Sequence, residues 1–276
     1  MFAKISNAGL VYLQSDVIPM GHAFTTRLGG VSAGPLASLN LGENRGDEPE
    51  NVRENYRRLG AALGFDVSSL VFPRQVHGAE VRAVGPEDAH TLFAPVPYEA
   101  DGLLTSAPGT PLIVFTADCV PVLLCDPVRG FAAAVHCGWR GSAADILGAA
   151  VQKMRALGSL PEDIRAAIGP AIGVCCFETG PDVPRALRAW LGAEAEPFIR
   201  PAGTRGKYFC DLKGANRRRL LDLGLGAAHI DVSDACTMCE SDLFWSHRAA
   251  GGERGSQAAV IQITNKRTAE NDNGDV

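Results

Sequence analysis

Several features that mark particular classes of protein are missing from this 276-residue sequence. A membrane-spanning helix needs about 20 consecutive apolar residues, and the longest apolar candidate here is interrupted by Asp118, Pro121 and Asp126. The N-terminal residues MFAKISNAGLVYLQ lack the basic, apolar and small-residue succession of a secretory signal peptide. The net charge is −5, and no basic stripe is present that could neutralise a phosphate backbone. We therefore expect a cytoplasmic protein that binds neither membranes nor nucleic acid.

Histidine is scarce, with six residues in the chain, whereas cysteine, with eight, is not. Multicopper oxidases need many histidines, commonly in H-x-H pairs, and the sequence contains no H-x-H. In the cytoplasm the cysteines are expected to be reduced, and a chain of this length does not need disulfides to stabilise its core. The cysteines are therefore expected to be buried apolar residues, ligands or nucleophiles.

Hydrophobic periodicity and turn residues predict a mixed α/β fold. The predicted helices cover residues 47–64, 143–157, 182–191 and 214–223, and the predicted strands cover residues 70–74, 80–84, 111–116, 120–125, 131–136, 164–168, 209–212 and 257–263. Several of these strands are continuously apolar, which is typical of a sheet that is buried on both faces.

Glycine, serine and asparagine are concentrated in roughly the first forty residues, which include the stretch FTTRLGGVSAGPLASLNLGENRGDEPE. This composition predicts loops. The sequence contains neither a repeat at solenoid spacing nor a long linker, so residues 1–264 are expected to form a single catalytic domain. The remaining residues 265–276, NKRTAENDNGDV, are polar and are predicted to be a disordered tail.

Three residues that carry metal-binding or nucleophilic chemistry stand at the ends of predicted strands. Cys119 and His136 do so in TADCVPVLLCDPVRGFAAAVHCGWRG, and His77 does so in PRQVHGAE. Zinc and copper prefer imidazole and thiolate ligands, but the spacing matches no compact zinc motif. Taken alone, the residues leave three interpretations open: a metal site, a thiolate–imidazole pair for acyl transfer, or side chains that only pack and form hydrogen bonds.

Six motifs in one order decide between these interpretations by resemblance. The motifs TTRLGGVS, SLNLGENRGD, PRQVHG, TADCVPVLLCDP, AVHCGWRG and IGPAIG resemble the bacterial family once called multicopper polyphenol oxidase or laccase-domain proteins. That family is now associated with zinc-dependent purine nucleoside phosphorylase and adenosine deaminase activities. The resemblance extends over residues 24–263. It implies a four-layer α/β sandwich with α+β character, similar to the cysteine-hydrolase-like catalytic domain of a bacterial toxin.

The resemblance also implies the chemistry of the site. His77, Cys119 and His136 match the positions that hold the metal in the family, so they are expected to bind zinc, with copper as an alternative, and to form the catalytic centre. The implied substrates are phosphate and purine nucleosides of the adenosine, inosine, guanosine and methylthioadenosine class, used by a monomer or a homodimer. No general acid is evident, although Asp101 and Asp118 are candidates from their motifs.

Three further residues are candidates for substrate binding. The resemblance places the loops of Arg27 and Asn40 at the mouth of the active site, and it places Arg248 in a serine–aromatic–arginine run in which His247 replaces the usual tyrosine. Arginine is suited to bind phosphate in a bidentate way. Arg27 could equally form a salt bridge, and Asn40 could equally shape a turn.

Cys236 and Cys239 form a C-x-x-C motif, CTMC, which alone could be half of a structural zinc site or a redox pair. No second spaced pair accompanies it, since Cys175 and Cys176 are adjacent. The sequence therefore favours ordinary thiols over a second metal site.

Alternative functions also stay open at this stage. The first is a metal-free cysteine hydrolase that uses Cys119 and His136, and a related one is an enzyme that edits peptidoglycan precursors. A non-catalytic binding module is a third class. Copper polyphenol oxidation is disfavoured by the small number of histidines.

Overall fold

The computed structural model describes residues 1–264, so the tail predicted at residues 265–276 lies outside the described residues. The strands are β1 (Phe2–Asn7), β2 (Leu10–Ser15), β3 (Gly21–Thr25), β4 (Val81–Ala83), β5 (Gly102–Thr105), β6 (Leu112–Thr116), β7 (Val120–Asp126), β8 (Phe131–Cys137), β9 (Arg165–Ile168), β10 (Glu178–Thr179), β11 (Ile199–Pro201), β12 (Tyr208–Cys210), β13 (Ile230–Val232) and β14 (Gln257–Gln262). The α-helices are α1 (Pro49–Leu63), α2 (Trp139–Ala143), α3 (Ile146–Ala156), α4 (Asp182–Leu191), α5 (Leu212–Asp222) and α6 (His247–Ala250).

The strands of the described chain form two large sheets and a small one. The first sheet is antiparallel, with the order β1-β2-β3-β14-β6. The second has the order β13-β9-β7-β8-β5-β4, and it is antiparallel except for the outer pairs β13-β9 and β4-β5. The small antiparallel sheet has the order β10-β12-β11. This mixed architecture confirms the predicted α/β class.

The two faces of β7 show how the layers are built. Every residue of β7 and β8 is buried, and successive side chains of a strand point to opposite faces. Val122 and Leu124 therefore pack on the helical side with α3 and α5, whereas Leu123 and Cys125 pack against the first sheet. A third core lies where α1 covers the other face of the first sheet. The layers run helix, sheet, sheet, helices, and the likeness to a toxin domain stays a prediction.

The loop prediction was right for residues 26–48, which contain no strand and no α-helix, and wrong for the residues before them, where β1, β2 and β3 lie. The partner of β3 on one side is β14, which places Phe24 opposite Ala259. This pairing joins the two ends of the chain, so no local pattern reveals it.

Other predicted elements changed at their ends. The predicted strand at 70–74 is reduced to isolated bridges at Val71 and Arg74. The predicted helix at 143–157 is interrupted before α3, because Asp145 has a φ of 63° and its carboxylate accepts hydrogen bonds from Trp190 and Arg219. The predicted strand at 209–212 ends at β12, since Asp211 caps α5 by accepting a hydrogen bond from the Gly214 N–H.

The described helices do not include a membrane span. The longest of them, α1, has 15 residues. In residues 1–264 no helix is both long enough and apolar enough to cross a membrane.

Candidate active site

Strand pairing and one loop bring His77, Cys119 and His136 together. Cys119 directly precedes β7, and His136 lies near the end of β8, where the register places it opposite Pro121. His77 lies in the loop before β4 and has a φ of 58°. The candidate ligand atoms of the three residues all lie within 4.8 Å of one another, and the two imidazole rings are 4.9 Å apart. The fold thus assembles the triad from segments that are distant in sequence.

Asp101 orients two of these residues. Its carboxylate is fully buried, and it accepts a 2.7 Å hydrogen bond from His136 Nδ1 and one of 3.0 Å from the backbone N–H of His77. The neighbouring N–H groups of Val76 and Gly78 donate to it as well. Burial alone would raise the pKa of Asp101, but these hydrogen bonds outweigh burial and lower it. Asp101 therefore stays ionised, and it leaves Nε2 of His136 as the candidate ligand atom.

The surroundings of Cys119 favour a thiolate. Burial opposes ionisation, but hydrogen bonds from His136 and His77 outweigh it and lower the pKa of Cys119 to about 6. Gly138 supplies space beside the sulfur, because a Cβ there would lie 2.9 Å from His77 Nδ1 and 3.4 Å from Cys119 Sγ. Two imidazoles and a thiolate form a donor set known from catalytic zinc sites. These residues fit a zinc ion.

A cavity of 670 Å³ opens in front of the triad. The side chains that line it include the triad, three arginines, one glutamate and an apolar group: His77, Cys119, His136, Arg45, Arg74, Arg254, Glu43, Phe72, Phe93, Pro95, Val96 and Phe115. A pocket with an apolar wall and a few converging polar groups is typical of a small-molecule site.

Arg45 and Arg254 are two cations that lie next to each other at the cavity. Among residues 1–264 neither forms a salt bridge, and both guanidinium groups bond to Ser256 Oγ, at 3.2 and 3.3 Å. Burial and the charge of Arg45 lower the pKa of Arg254 to about 10, so both remain charged at neutral pH. Two adjacent cations that line one cavity form a site for an anion. Sequence reasoning missed them, although Arg45 stands in the motif SLNLGENRGD.

Glu43 is a carboxyl group in the cavity that binds no cation among the described residues. Its Oε1 atom is buried without a hydrogen-bond partner in that part of the chain, and burial raises its pKa despite a hydrogen bond from the Phe93 backbone. The carboxyls suggested by the sequence are both engaged elsewhere. Asp101 holds the triad, and Asp118 accepts hydrogen bonds from Thr237 Oγ1 and the Arg248 N–H, at 2.6 and 2.7 Å. Glu43 is therefore the carboxyl group available to carry a proton.

The side chains of Arg27 and Asn40 are bonded within the protein. Arg27 donates to the carbonyl groups of Ala37 and Ser241 and stacks 4.0 Å from the ring centroid of Trp245. Asn40 is fully buried, and its Oδ1 accepts hydrogen bonds from the N–H groups of Gly42 and Ser256. Neither residue is among those lining the cavity. Of the two roles open for each, these contacts favour the structural one.

Arg248 is not among the residues that line the cavity either, although its backbone N–H donates to the carboxylate of Asp118, next to Cys119. Its guanidinium donates to the carbonyl groups of Cys176 and Glu178, at 3.3 and 3.1 Å. The structure therefore brings His77, Cys119 and His136 together, whereas the side chains of Arg27, Asn40 and Arg248 are bonded to other groups of the protein.

Known proteins resemble the chain over most of its length. The family model described as multi-copper polyphenol oxidoreductase laccase matches residues 21–264. A purine nucleoside phosphorylase of Deinococcus radiodurans is 42% identical over 255 residues, which cover 92% of this chain and 94% of that protein. Purine nucleoside phosphorylase YlmD of Geobacillus stearothermophilus is 41% identical over 242 residues, with coverages of 86% and 88%.

Solved structures agree with this. The crystal structure of YlmD from Geobacillus stearothermophilus matches with a TM-score of 0.87 and 38% identity, over 92% of this chain and 96% of that chain. The crystal structure of Bacillus licheniformis hypothetical protein YfiH matches with a TM-score of 0.84 and 35% identity, over 88% and 92%. The family resemblance seen in the six motifs is confirmed: the chain belongs to the multi-copper polyphenol oxidoreductase laccase family.

Proposed function

We propose that this protein is a zinc-dependent purine nucleoside phosphorylase that also deaminates adenosine. The observation that carries the proposal is that the His77–Cys119–His136 triad and the uncompensated Arg45–Arg254 pair line one cavity. A phosphorylase must hold a phosphate beside a nucleoside, and this cavity offers an anion site next to an apolar wall. The names of the relatives from Deinococcus radiodurans and Geobacillus stearothermophilus support the same reaction.

The residues divide the work of phosphorolysis. Arg45 and Arg254 bind phosphate and orient one oxygen toward the anomeric carbon of the ribose. The wall with Phe93 and Phe115 receives the purine, whose faces are apolar. As the new C–O bond forms, the bond between the ribose and the purine breaks and its electron pair goes to the base. Glu43 donates the proton that the departing purine takes up, and the products are a free base and ribose 1-phosphate.

The triad residues determine what a zinc ion bound there would contribute to the reaction. His77, Cys119 and His136 would hold the zinc ion, which would supply Lewis acidity to stabilise negative charge on oxygen or to lower the pKa of a water. Asp101 keeps His136 in the tautomer that binds the metal. In the deamination of adenosine, water takes the place of phosphate in the same cavity and its oxygen bonds to the purine carbon that bears the amino group. The C–N bond breaks, Glu43 transfers a proton from the water to the departing amino group, and the products are inosine and ammonia. Copper is the alternative metal for this donor set.

A second candidate function rests on a specific geometry. Cys119, His136 and Asp101 stand in the order of a nucleophile, its base and the carboxylate that orients the base. A metal-free thiol hydrolase, or an enzyme acting on peptidoglycan precursors, would use these three groups and leave His77 without a role. The proximity of His77 to both residues favours the metal site.

A direct assay tests the proposal. Purified protein is incubated with inosine, guanosine, methylthioadenosine or adenosine, with and without inorganic phosphate, and released base and inosine are measured by chromatography. The proposal expects base release that requires phosphate and, from adenosine, inosine formation that does not. Hydrolysis of an acyl or peptide substrate by the chelated protein, with no nucleoside turnover by the zinc-loaded one, would favour the thiol hydrolase.

A further inference from the structure

A second group of sulfur atoms lies outside the cavity. It consists of Cys175 and Cys176, in the turn after β9, and Cys236 and Cys239, in the loop after β13. The four Sγ atoms all lie within 4.8 Å of one another. Cys239 Sγ is 3.6 Å from Cys175 Sγ and 3.3 Å from Cys176 Sγ. We call this group the four-cysteine cluster.

The parallel pairing of β9 and β13 explains the cluster. Ile168 lies opposite Val232 at the carboxyl ends of these neighbouring strands, and the parallel alignment continues to a bridge between Ala171 and Cys236. The loops that follow the two strands therefore leave the sheet side by side. The sequence alone does not reveal this cluster, because an adjacent pair and a C-x-x-C motif meet only through this pairing.

We propose that the four-cysteine cluster binds a second zinc ion in a closed, tetrahedral, all-thiolate structural site. Structural zinc sites commonly have four cysteine ligands with Zn–S distances of about 2.3 Å, which places the sulfurs of a regular tetrahedron about 3.8 Å apart. The contacts of Cys239 with both members of the adjacent pair, 3.3 and 3.6 Å, are near this separation. The cluster shares no residue with the His77–Cys119–His136 triad.

Backbone donors surround the most buried sulfur. Cys236 Sγ accepts a 3.2 Å hydrogen bond from the Gly173 N–H, and the N–H groups of Met238 and Cys239 also point to it. Hydrogen bonds to a sulfur stabilise its thiolate form, which is the form that binds metal. The turn of the CTMC motif thus provides donors for the sulfur at its start.

Nearby cations match the charge that such a site carries. Four thiolates and one Zn²⁺ leave a net charge of about −2. Lys213, which is 8% exposed, donates to the carbonyl groups of Ser233 and Ala235 beside the CTMC segment, at 2.5 and 3.0 Å. Arg248 donates to the carbonyl of Cys176. A buried lysine held next to this segment is favourable if the segment carries negative charge.

The same loops support the turn that precedes Cys119. The Ile172 N–H donates to the Asp118 carbonyl at 2.9 Å, and Thr237 Oγ1 donates to the Asp118 carboxylate at 2.6 Å. A metal at the four-cysteine cluster would therefore fix two loops that hold this turn. Its loss should destabilise the fold and reduce turnover less than loss of the triad.

Metal content of the purified, reduced protein tests the proposal. Elemental analysis should find two zinc ions per chain in the unmodified protein and one in both Cys239→Ser and Cys176→Ser. The control is Cys210→Ser, which changes a buried cysteine outside the cluster where Thr179 Oγ1, 3.5 Å from the sulfur, can bond the new hydroxyl. The Cys210→Ser protein should retain two zinc ions per chain. The His77→Ala protein should retain one zinc ion per chain, the one at the four-cysteine cluster. This result does not depend on whether the protein has nucleoside activity.

Cobalt substitution tests the proposal without the cysteine variants, in case these variants fold poorly. Cobalt loaded into unmodified protein should show the strong sulfur-to-cobalt charge transfer of a four-thiolate site, and His77→Ala should keep most of it. The proposal is overturned if unmodified protein binds one zinc that His77→Ala removes, or if cobalt-loaded His77→Ala lacks that band. A disulfide within the cluster, found by mass spectrometry in protein purified under reducing conditions, would also overturn it.

Discussion

The two cysteine-containing clusters differ in their donors and in what lies beside them. The triad joins one thiolate to two imidazoles and faces a cavity of 670 Å³, whereas the four-cysteine cluster uses sulfur alone and contributes no residue to that cavity. A metal with three protein ligands keeps a position open for chemistry, and a metal with four is closed. On the two proposals made above, one fold places a reactive site and a structural site on neighbouring loops.

Loss of a triad ligand should have the largest effect on turnover. His77→Ala removes a ligand, and the several kcal/mol of charge stabilisation that a metal supplies correspond to a decrease of about 10²- to 10⁴-fold in kcat/KM for inosine phosphorolysis. Cys239→Ser should decrease kcat/KM by less than tenfold and should lower the melting temperature more. Steady-state kinetics and thermal unfolding of both variants measure this contrast. Equal losses of activity would contradict the division of roles.

Glu43 should donate the proton that the departing purine takes up. Glu43→Ala should reduce kcat by about 10²-fold, the lower end of general acid catalysis. Because burial raises the pKa of Glu43, the protonated form persists to higher pH than for an ordinary carboxyl, and kcat should fall as pH rises through this pKa. A pH profile of kcat measures this. An unchanged alkaline limb in Glu43→Gln would show that another group donates the proton.

The carboxylate behind the triad should determine metal affinity. Asp101→Asn keeps the shape of the side chain but removes the charge that faces His136, and loss of such a partner costs about 10- to 100-fold in metal affinity or activity. Competition with a chromophoric chelator gives the zinc affinity of the triad. Asp126→Asn, a buried carboxyl in β7, is the control and should leave this affinity unchanged. Equal affinity in Asp101→Asn and the unmodified protein would refute the role given to Asp101.

Phosphate binding should depend on arginines of the cavity and not on Arg27. Charge-assisted hydrogen bonds contribute about 1.5–3 kcal/mol, so Arg254→Ala should raise the KM for phosphate about tenfold or more and leave the KM for nucleoside nearly unchanged. Arg27→Ala loses contacts with Ala37 and Trp245 and should lower the stability of the fold. It should not change the ratio of the KM for phosphate to the KM for nucleoside. A selective rise in phosphate KM for Arg27→Ala would return that residue to the phosphate site.

The sequence predicts most of what local pattern or motif controls. The continuous apolar runs predicted β7 and β8, and the six motifs indicated the family and the three triad residues. Local pattern failed where distant segments meet. It did not reveal the pairing of β3 with β14, the meeting of the Cys175–Cys176 pair with Cys236 and Cys239, or the joining of Arg45 and Arg254 at Ser256. Arg27 was a candidate because of its chemistry, and only its contacts show that each of its guanidinium nitrogens already donates to a backbone carbonyl.

Chelation combined with alkylation tests the central claim, that the triad is a metal site required for nucleoside turnover. In zinc-loaded protein, Cys119 should resist iodoacetamide, because a metal-bound thiolate is a poor nucleophile. Removal of zinc should expose Cys119 to alkylation, mapped by peptide mass spectrometry, and should abolish phosphorolysis of inosine until zinc is restored. The contrary result is a chelated enzyme that turns over inosine normally and loses that activity when Cys119 is alkylated.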